Sequence, residues 1–425
     1  MASENSAGTV VLLAALDTKA DDAAFLNARL HENGHDVILV DVGVLGAPHI
    51  DPDVPRARVA EAGGGDLADL REHRDRGRAV ATMARGAARV VAELVETGRA
   101  QAVLALGGGA GTTIGGAAMR PLPLGLPKLI LTTVASGNTA GYVGTSDIVL
   151  FPSVVDVAGV NRISTITYTR AADALSGMLT GAARRPEPPA ADRPLVAASM
   201  FGVTTPCVMR AKELLERAGC EVLVFHATGT GGRTLERLVA EGYVDAVLDI
   251  TTTEWADEIV GGILSAGPHR LEAAAAAGVP QVVSLGATDM VNFGPPESVP
   301  ERFAGRTLYR HNAENTLMRV SPEEAERIGA AIAEKLNASS GGATLLVPAR
   351  GVSALDAPGQ PFDDPVARAA LVRALRADVD PQRVRVEELD LHVNDEAFAD
   401  AAVHRVLTDL EETSMIRAGH RTADR

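Results

Sequence analysis

Apolar residues fall in short unbroken runs separated by longer amphipathic stretches. Thr9 to Ala15 is one such run, the pattern of a strand buried on both faces. Asp21 to Asn33 follows with helical spacing, carrying Phe25, Leu26 and Leu30 on one side. Asp36 to Asp41 predicts a strand, Asp75 to Glu96 a long helix, and Ala102 to Leu106 and Lys128 to Thr133 two further strands. The scheme then repeats. Leu195 to Met200 predicts a strand, Pro206 to Ala218 a helix and Glu221 to Phe225 a strand. Further strands are predicted at Ala246 to Ile250, Gln281 to Ser284, Thr344 to Val347 and Arg383 to Leu389. Between the last four lies a helix over Pro322 to Asn337, with Ser321 as N-cap and Glu324 completing a capping box. Strands alternating with helices predict a parallel sheet covered by helices.

The two halves share local grammar. Gly34-His35-Asp36-Val37, Gly98-Arg99-Ala100-Gln101 and Gly125-Leu126-Pro127-Lys128 open strands in the first half. Gly219-Cys220-Glu221-Val222, Gly242-Tyr243-Val244-Asp245 and Gly278-Val279-Pro280-Gln281 do so in the second, in the same order. Arg184 to Pro194 is proline-rich and polar, an extended linker. The fold class is therefore α/β: two doubly wound, Rossmann-like parallel-sheet domains facing a shared cleft. Their bounds are 1–183 and 195–415, with a hinge at 184–194 and a disordered tail at 416–425.

Composition narrows the function. The 425 residues carry a formal charge of −15 and only 3% aromatics, which argues against a nucleic-acid or anionic-membrane surface. An anionic ligand must then be held locally, by backbone N–H groups, helix N-termini and a few cations. Two cysteines, Cys207 and Cys220, make no disulfide framework. The N-terminus does not read as a signal peptide and no long apolar run exists, so a cytoplasmic protein is expected.

In open parallel sheets ligands bind beyond the carboxyl ends of the strands. The residues there are rich in glycine and threonine. Gly107, Gly108, Gly109, Gly111, Thr112 and Thr113 follow the Ala102 strand and open a helix, so their N–H and hydroxyl groups suit a phosphate. The spacing is neither a Walker A nor a dinucleotide fingerprint. Asp17, Thr18 and Lys19 follow the first strand. Lys19 supplies charge to phosphates or is a solvated helix start, and Asp17 holds Mg²⁺ or caps that helix. Ser136, Gly137 and Asn138 complete the cofactor set. In the second half the candidate catalytic groups are His226, Glu254, Asp289 and His311, with His226 foremost as acid, base or oxyanion partner. Glu254 doubles as a first-turn carboxylate facing a helix dipole, and Asp289 with Asn292 as an Asx turn. Thr228, Gly229, Thr230, Gly231, Asn292, Asn312 and Arg350 are the candidate substrate contacts. No residue spacing indicates a dedicated metal site.

These loops carry a resemblance. The chain resembles the family of ATP-binding proteins related to the N-terminal part of the plant tobamovirus-resistance protein. The shared stretches include Leu16-Asp17-Thr18-Lys19, Ala135-Ser136-Gly137, Asp156 to Ile163, Phe201 to Pro206, His226 to Gly232, Asp289 to Gly294, Thr316-Leu317-Met318-Arg319 and Gly351-Val352-Ser353. The resemblance implies two α/β domains around a cleft, ATP with Mg²⁺ bound mainly by the first, and a homodimer. Plant members carry a further C-terminal barrel, so antiviral activity is not expected of this chain. The family usually reads Gly-Gly-Ser-Gly-Gly-Thr where this chain has Gly107-Gly108-Gly109-Ala110-Gly111-Thr112, and has glycine where this chain has Ala20. The expected function is ATP-dependent activation of a small carboxylate or carbonyl metabolite by phosphoryl or adenylyl transfer. The alternative is a nucleotide-responsive interaction module that binds ATP without turnover.

Overall fold

The computed structural model describes residues 8–184, 193–339 and 342–423. The chain divides into two compact units, Met1–Pro189 and Ala190–Arg425. Most of the proline-rich segment 184–194 lies outside the described residues.

Unit 1 contains the strands β1 (Thr9–Ala14), β2 (Asp36–Asp41), β3 (Ala102–Gly107), β4 (Lys128–Thr132) and β5 (Val149–Pro152). Its helices are α1 (Ala20–Glu32), α2 (Arg56–Ala62), α3 (Leu67–His73), α4 (Arg76–Glu96), α5 (Gly109–Met119), α6 (Ala140–Val143) and α7 (Arg162–Ala183). All five strands are parallel, in the order β2-β1-β3-β4-β5. The unbroken apolar run of β1 is explained by this placement. Val10, Leu12 and Ala14 pack under α1 and α7, while Val11 and Leu13 pack under α4 and α5. Both faces are covered, so no position from Val10 to Ala14 is left for a polar side chain.

Unit 2 contains β6 (Leu195–Met200), β7 (Glu221–His226), β8 (Ala246–Thr251), β9 (Gln281–Gly286), β13 (Ala343–Pro348) and β14 (Val384–Leu389), parallel in the order β7-β6-β8-β9-β13-β14. Its helices are α8 (Thr205–Arg217), α9 (Thr230–Ala240), α10 (Glu254–Val260), α11 (Ala273–Ala277), α12 (Pro322–Asn337), α13 (Pro365–Asp378) and α14 (Glu396–Ala423). Helix α14 therefore covers 416–423, where the sequence suggests a tail. Numbered within each unit, both sheets run 2-1-3-4-5, and unit 2 adds a sixth strand. The shared glycine anchors sit where this common topology needs them: Gly34, Gly98, Gly219 and Gly242 all take left-handed φ between helix and strand.

The elements that the sequence patterns named lie within a residue or two of their predicted bounds, while the long helices α7, α13 and α14 were not among them. Asp75 caps α4, accepting from Arg78 N–H at 3.0 Å. The Ser321/Glu324 capping box is present at α12. Unit 2 also holds an antiparallel sheet that the patterns did not predict, β10 (Met290–Phe293), β11 (Leu308–Arg310) and β12 (Thr316–Arg319), in the order β10-β12-β11. Its strands of three or four residues are too short to show a period. Among the described residues no helix is long and apolar enough to cross a membrane.

Helices α2 and α4 touch backbone to backbone. A Cβ added at Gly86 would lie 1.8 Å from the Val59 carbonyl oxygen. Gly86→Ala is expected to destabilise unit 1 by at least about 2 kcal/mol. Gly177→Ala, at a helical site with open space around it, is expected to be neutral or stabilising by up to about 1 kcal/mol. Denaturant melts of both variants check the contrast, and equal effects would contradict the packing described.

Candidate functional site

In unit 1 the order 2-1-3 sends α1 to one face of the sheet and α4 and α5 to the other. The strand ends of β1 and β3 are thus neighbours whose following segments diverge. This is the switch point at which doubly wound sheets open a crevice. A cavity of about 620 Å³ lies there. Its lining includes the buried Leu70 and Met83, the β1 loop at Asp17 and Thr18, Ala110 and Gly111 of α5, and the exposed Arg71, Arg74 and Arg76. The arginines come from the α3–α4 junction. Asp66 and Asp75 cap the two helices, and Arg74 between them takes a left-handed φ of 50°. Arg71 donates to the Val44 carbonyl at 2.6 Å. Among the described residues the Arg74 and Arg76 guanidiniums form no hydrogen bond or ion pair. None of the three directly follows a strand, so position at a strand end does not reveal them in the sequence.

The glycine loop divides into two kinds of glycine. A Cβ at Gly111 would lie 2.8 Å from the Leu106 carbonyl oxygen, and one at Gly107 would lie 3.0 Å from Gly111 Cα. Those two let α5 close onto β3. At Gly108 a Cβ would meet only Thr133 Oγ1 at 3.5 Å, and at Gly109 nothing within 4 Å. The fold does not require glycine at either position. Among the described residues no protein acceptor takes the N–H groups of Gly109, Ala110 or Gly111, the first turn of α5.

Other first-half candidates serve the scaffold. The Asp17 carboxylate accepts from Val44, Leu45 and Gly46 N–H at 3.2, 3.0 and 3.3 Å, with Arg56 3.5 Å away. It does not cap α1, whose N-cap position is Lys19 without a side-chain bond; all of these contacts fall on Oδ2, and Oδ1 accepts no hydrogen bond among the described residues. It shapes the β2 loop that walls the cavity. Lys19 Nζ donates to the Val157 carbonyl, so its charge is engaged away from the glycine loop. Thr112 is buried and bonded to the Gly108 carbonyl at 2.8 Å and to Thr132 Oγ1 at 2.6 Å. Thr113 Oγ1 donates to the Gly109 carbonyl at 2.8 Å. Thr18 lines the cavity. Ser136 lines a different recess, beside Gly137 and Asn138, whose Oδ1 accepts from Ala140 N–H at 3.3 Å.

In unit 2 the candidate loops are closed by the protein itself. Glu254 is buried, and its Oε1 accepts from Gly229 N–H at 2.7 Å and Gly232 N–H at 3.0 Å. Its Oε2 accepts from Arg270 Nε at 2.7 Å. A side-chain carboxylate thus occupies the loop whose Thr228, Gly229, Thr230 and Gly231 were the candidate substrate contacts. Arg270 is fully buried and also meets Asp249 and Glu236 at 2.6 and 2.9 Å. Burial works against its charge, but the three carboxylates outweigh it and hold the guanidinium firmly protonated. Gly231 and Gly229 are packing glycines, since a Cβ would lie 1.9 Å from the His226 carbonyl and 2.6 Å from the Ser265 carbonyl. Thr228 Oγ1 donates to the His226 carbonyl at 3.2 Å, and Thr230 Oγ1 accepts from Arg233 at 3.4 Å.

The remaining candidates do not converge. Asp289 is buried against Ser353, whose Oγ donates to it at 2.8 Å. Burial and the nearby Asp356 push it up to about 7. Asn292 is buried on Asp257, donating through Nδ2 at 2.6 Å. Burial pushes Asp257 likewise to about 7. His311 and Asn312 occupy the exposed turn between β11 and β12, closed by His311 N–H to the Asn315 carbonyl at 3.0 Å. Arg350 pairs with Asp390 on the surface at 2.7 Å. His226 is exposed at the end of β7, its ring 5.4 Å from that of Phe201. Among the described residues no hydrogen bond or ion pair links any two of His226, Glu254, Asp289 and His311. No group of three or more His, Cys, Asp or Glu among them is arranged to hold a metal ion.

Comparison with known proteins assigns the family. Residues 8–184 match the model described as "Uncharacterised protein family (UPF0261) N-terminal domain", and 193–409 match its C-terminal counterpart. The chain belongs to the UPF0261 family. A UPF0261 protein of Clostridium tetani is 46% identical over 403 residues, covering 95% of this chain and 99% of that one. The tomato (Solanum lycopersicum) ToMV resistance protein Tm-1(GCR237) is 43% identical over 346 residues, covering 81% of this chain and 45% of its own. The ToMV susceptible protein tm-1(GCR26) of the same plant is 43% identical over 335 residues, covering 78% of this chain and 44% of its own. The relation to the plant resistance protein is therefore real and spans less than half of that protein.

The assignment of Glu254 to the scaffold has a direct check. Glu254→Ala orphans two buried amides and is expected to cost unit 2 about 3 kcal/mol or more, read as a lowered unfolding midpoint. A catalytic base would leave the midpoint unchanged.

Proposed function

We propose that unit 1 binds ATP at the β1/β3 switch point. The observation that carries this is the first turn of α5. Its unpaired N–H groups follow two glycines that the fold does not need, beside a cavity rimmed by two unpaired arginines. Helix N-termini and open glycines accept phosphate oxygens, and the arginines add charge in a protein that is otherwise strongly acidic. A volume of about 620 Å³ falls within the range of small-molecule pockets. The apolar side chains Leu70, Val80, Met83 and Ile114 suit the base of the nucleotide. Asp17 Oδ2 is engaged by three amides, so Oδ1 is the oxygen with which Asp17 would face a Mg²⁺ brought by the nucleotide, whose charge would offset that of the phosphates. The family resemblance argues for the same ligand.

Titration calorimetry tests this. Gly109→Val fills space that the fold leaves open, so it is expected to keep the melting temperature and lose at least tenfold in ATP affinity, about 1.4 kcal/mol. Arg74→Ala is expected to weaken ATP more than adenosine. Unchanged ATP affinity in both variants rejects the site.

The closed loops of unit 2 favour the reading in which ATP is bound without turnover. One observation supports turnover on a small carboxylate or carbonyl instead, namely the unbonded, exposed imidazole of His226 at a strand's carboxyl end. If that reading holds, His226→Asn lowers ATP consumption about 10²–10⁴-fold with folding and ATP affinity intact. A wild type that consumes no ATP with a panel of small carboxylates and carbonyls leaves the binding module.

A further inference from the structure

A second recess, of about 360 Å³, opens at the carboxyl ends of β4 and β5. Thr133 belongs to it, and Thr133 Oγ1 is also the atom nearest a Cβ placed on Gly108. The recess therefore adjoins the glycine loop on the side away from β1. One wall is the segment Ser153 to Asp156. Val154 there takes a left-handed φ of 67°, costly for a β-branched side chain, and is 75% exposed.

That strain persists because the residues on either side of Val154 are held by hydrogen bonds. Ser153 N–H donates to the Thr132 carbonyl at 3.0 Å, and Thr167 Oγ1 donates to the Ser153 carbonyl at 3.3 Å. Ser153 Oγ donates to the Val155 carbonyl at 2.6 Å. Beyond it, Lys19 holds the Val157 carbonyl. The buried Asp22 accepts from Gly159 N–H at 3.2 Å and from the Tyr168 hydroxyl at 2.7 Å. This wall holds Asp156 in place, while Thr133 and Ser136 line the recess from the exposed loop after β4.

Those groups define the ligand. Among the described residues the hydroxyls of Thr133 and Ser136 make no hydrogen bond. Asp156 accepts Val157 N–H on Oδ1 at 2.8 Å and leaves Oδ2 unused. No Lys, Arg or His lines the recess. A carboxylate with two free hydroxyls and no cation repels anions and accepts from neutral hydroxyl groups, which also find donors in Ser and Thr.

We propose that this recess binds a neutral polyhydroxylated small molecule, a sugar or polyol, as companion to the nucleotide. Only the word companion rests on the ATP reading. The recess excludes the small carboxylate that the turnover reading names.

The test uses the full-length protein and saturation-transfer NMR with D-ribose, myo-inositol, glycerol and ethanolamine, each with ATP calorimetry in parallel. Ribose against myo-inositol and glycerol distinguishes a sugar from a simple polyol. Wild type is expected to bind at least one of the three hydroxyl compounds. Asp156→Asn keeps the acceptor for Val157 N–H and Ser136→Ala lies on an exposed loop. Each is expected to weaken that binding about tenfold or more while ATP affinity stays within about twofold and the melting temperature holds. No hydroxyl compound bound, binding insensitive to both variants, or tighter binding of ethanolamine overturns the proposal. Absent ATP binding with polyol binding intact rejects the nucleotide reading alone.

Discussion

Every helix that follows a parallel strand begins with N–H groups that its own backbone does not satisfy. Where those groups find their acceptors decides what each unit of this protein can do. In unit 2 the acceptor is internal. Glu254 reaches from α10 to the start of α9, takes two amide bonds and is itself held by the buried Arg270. In unit 1 the start of α5 has no such partner among the described residues. The helix start of unit 2 follows its second strand and that of unit 1 its third, and the first is closed by the protein's own side chains while the second is open to an anion. Breaking the internal pair of unit 2 would orphan both charges and amides, which is why that closure is a matter of stability.

The open end of unit 1 is shaped by the charged groups around it. Asp17 and Asp41, bridged by Arg56, organise the β1 and β2 loops around one wall of the cavity. The capped helices α3 and α4 set three arginines at its rim. On the other side of the glycine loop, Asp22, Lys19 and Thr167 hold the segment that walls the second recess. Residues that look like ligands in the sequence therefore turn out to position the surfaces a ligand would meet.

The elements named from the sequence were legible because their signals are local. A strand covered on both faces must be apolar throughout, as Val10 to Ala14 are, and capping at Asp75 and Ser321 needs only three or four residues. The glycine loop was legible for the same reason. What decides the candidate site was not local. Glu254 reads as a catalytic acid until Arg270, sixteen positions on, is seen to hold it. Gly108 and Gly111 look alike in sequence, and only the distance to the Leu106 carbonyl separates a packing glycine from an open one. The arginines at 71, 74 and 76 come from a helix junction rather than a strand end. Two aspartate caps nine residues apart around that run were the available signal.

The central claim is the asymmetry between the two helix starts, and backbone amide resonances read it directly. On titration with Mg²⁺-ATP, the amides of Gly109, Ala110 and Gly111 are expected to shift and gain protection from hydrogen exchange. Those of Gly229 and Gly232, already bonded to Glu254, are expected to stay unchanged. Perturbation at Gly229 and Gly232 with silence at Gly109 to Gly111 would contradict the account.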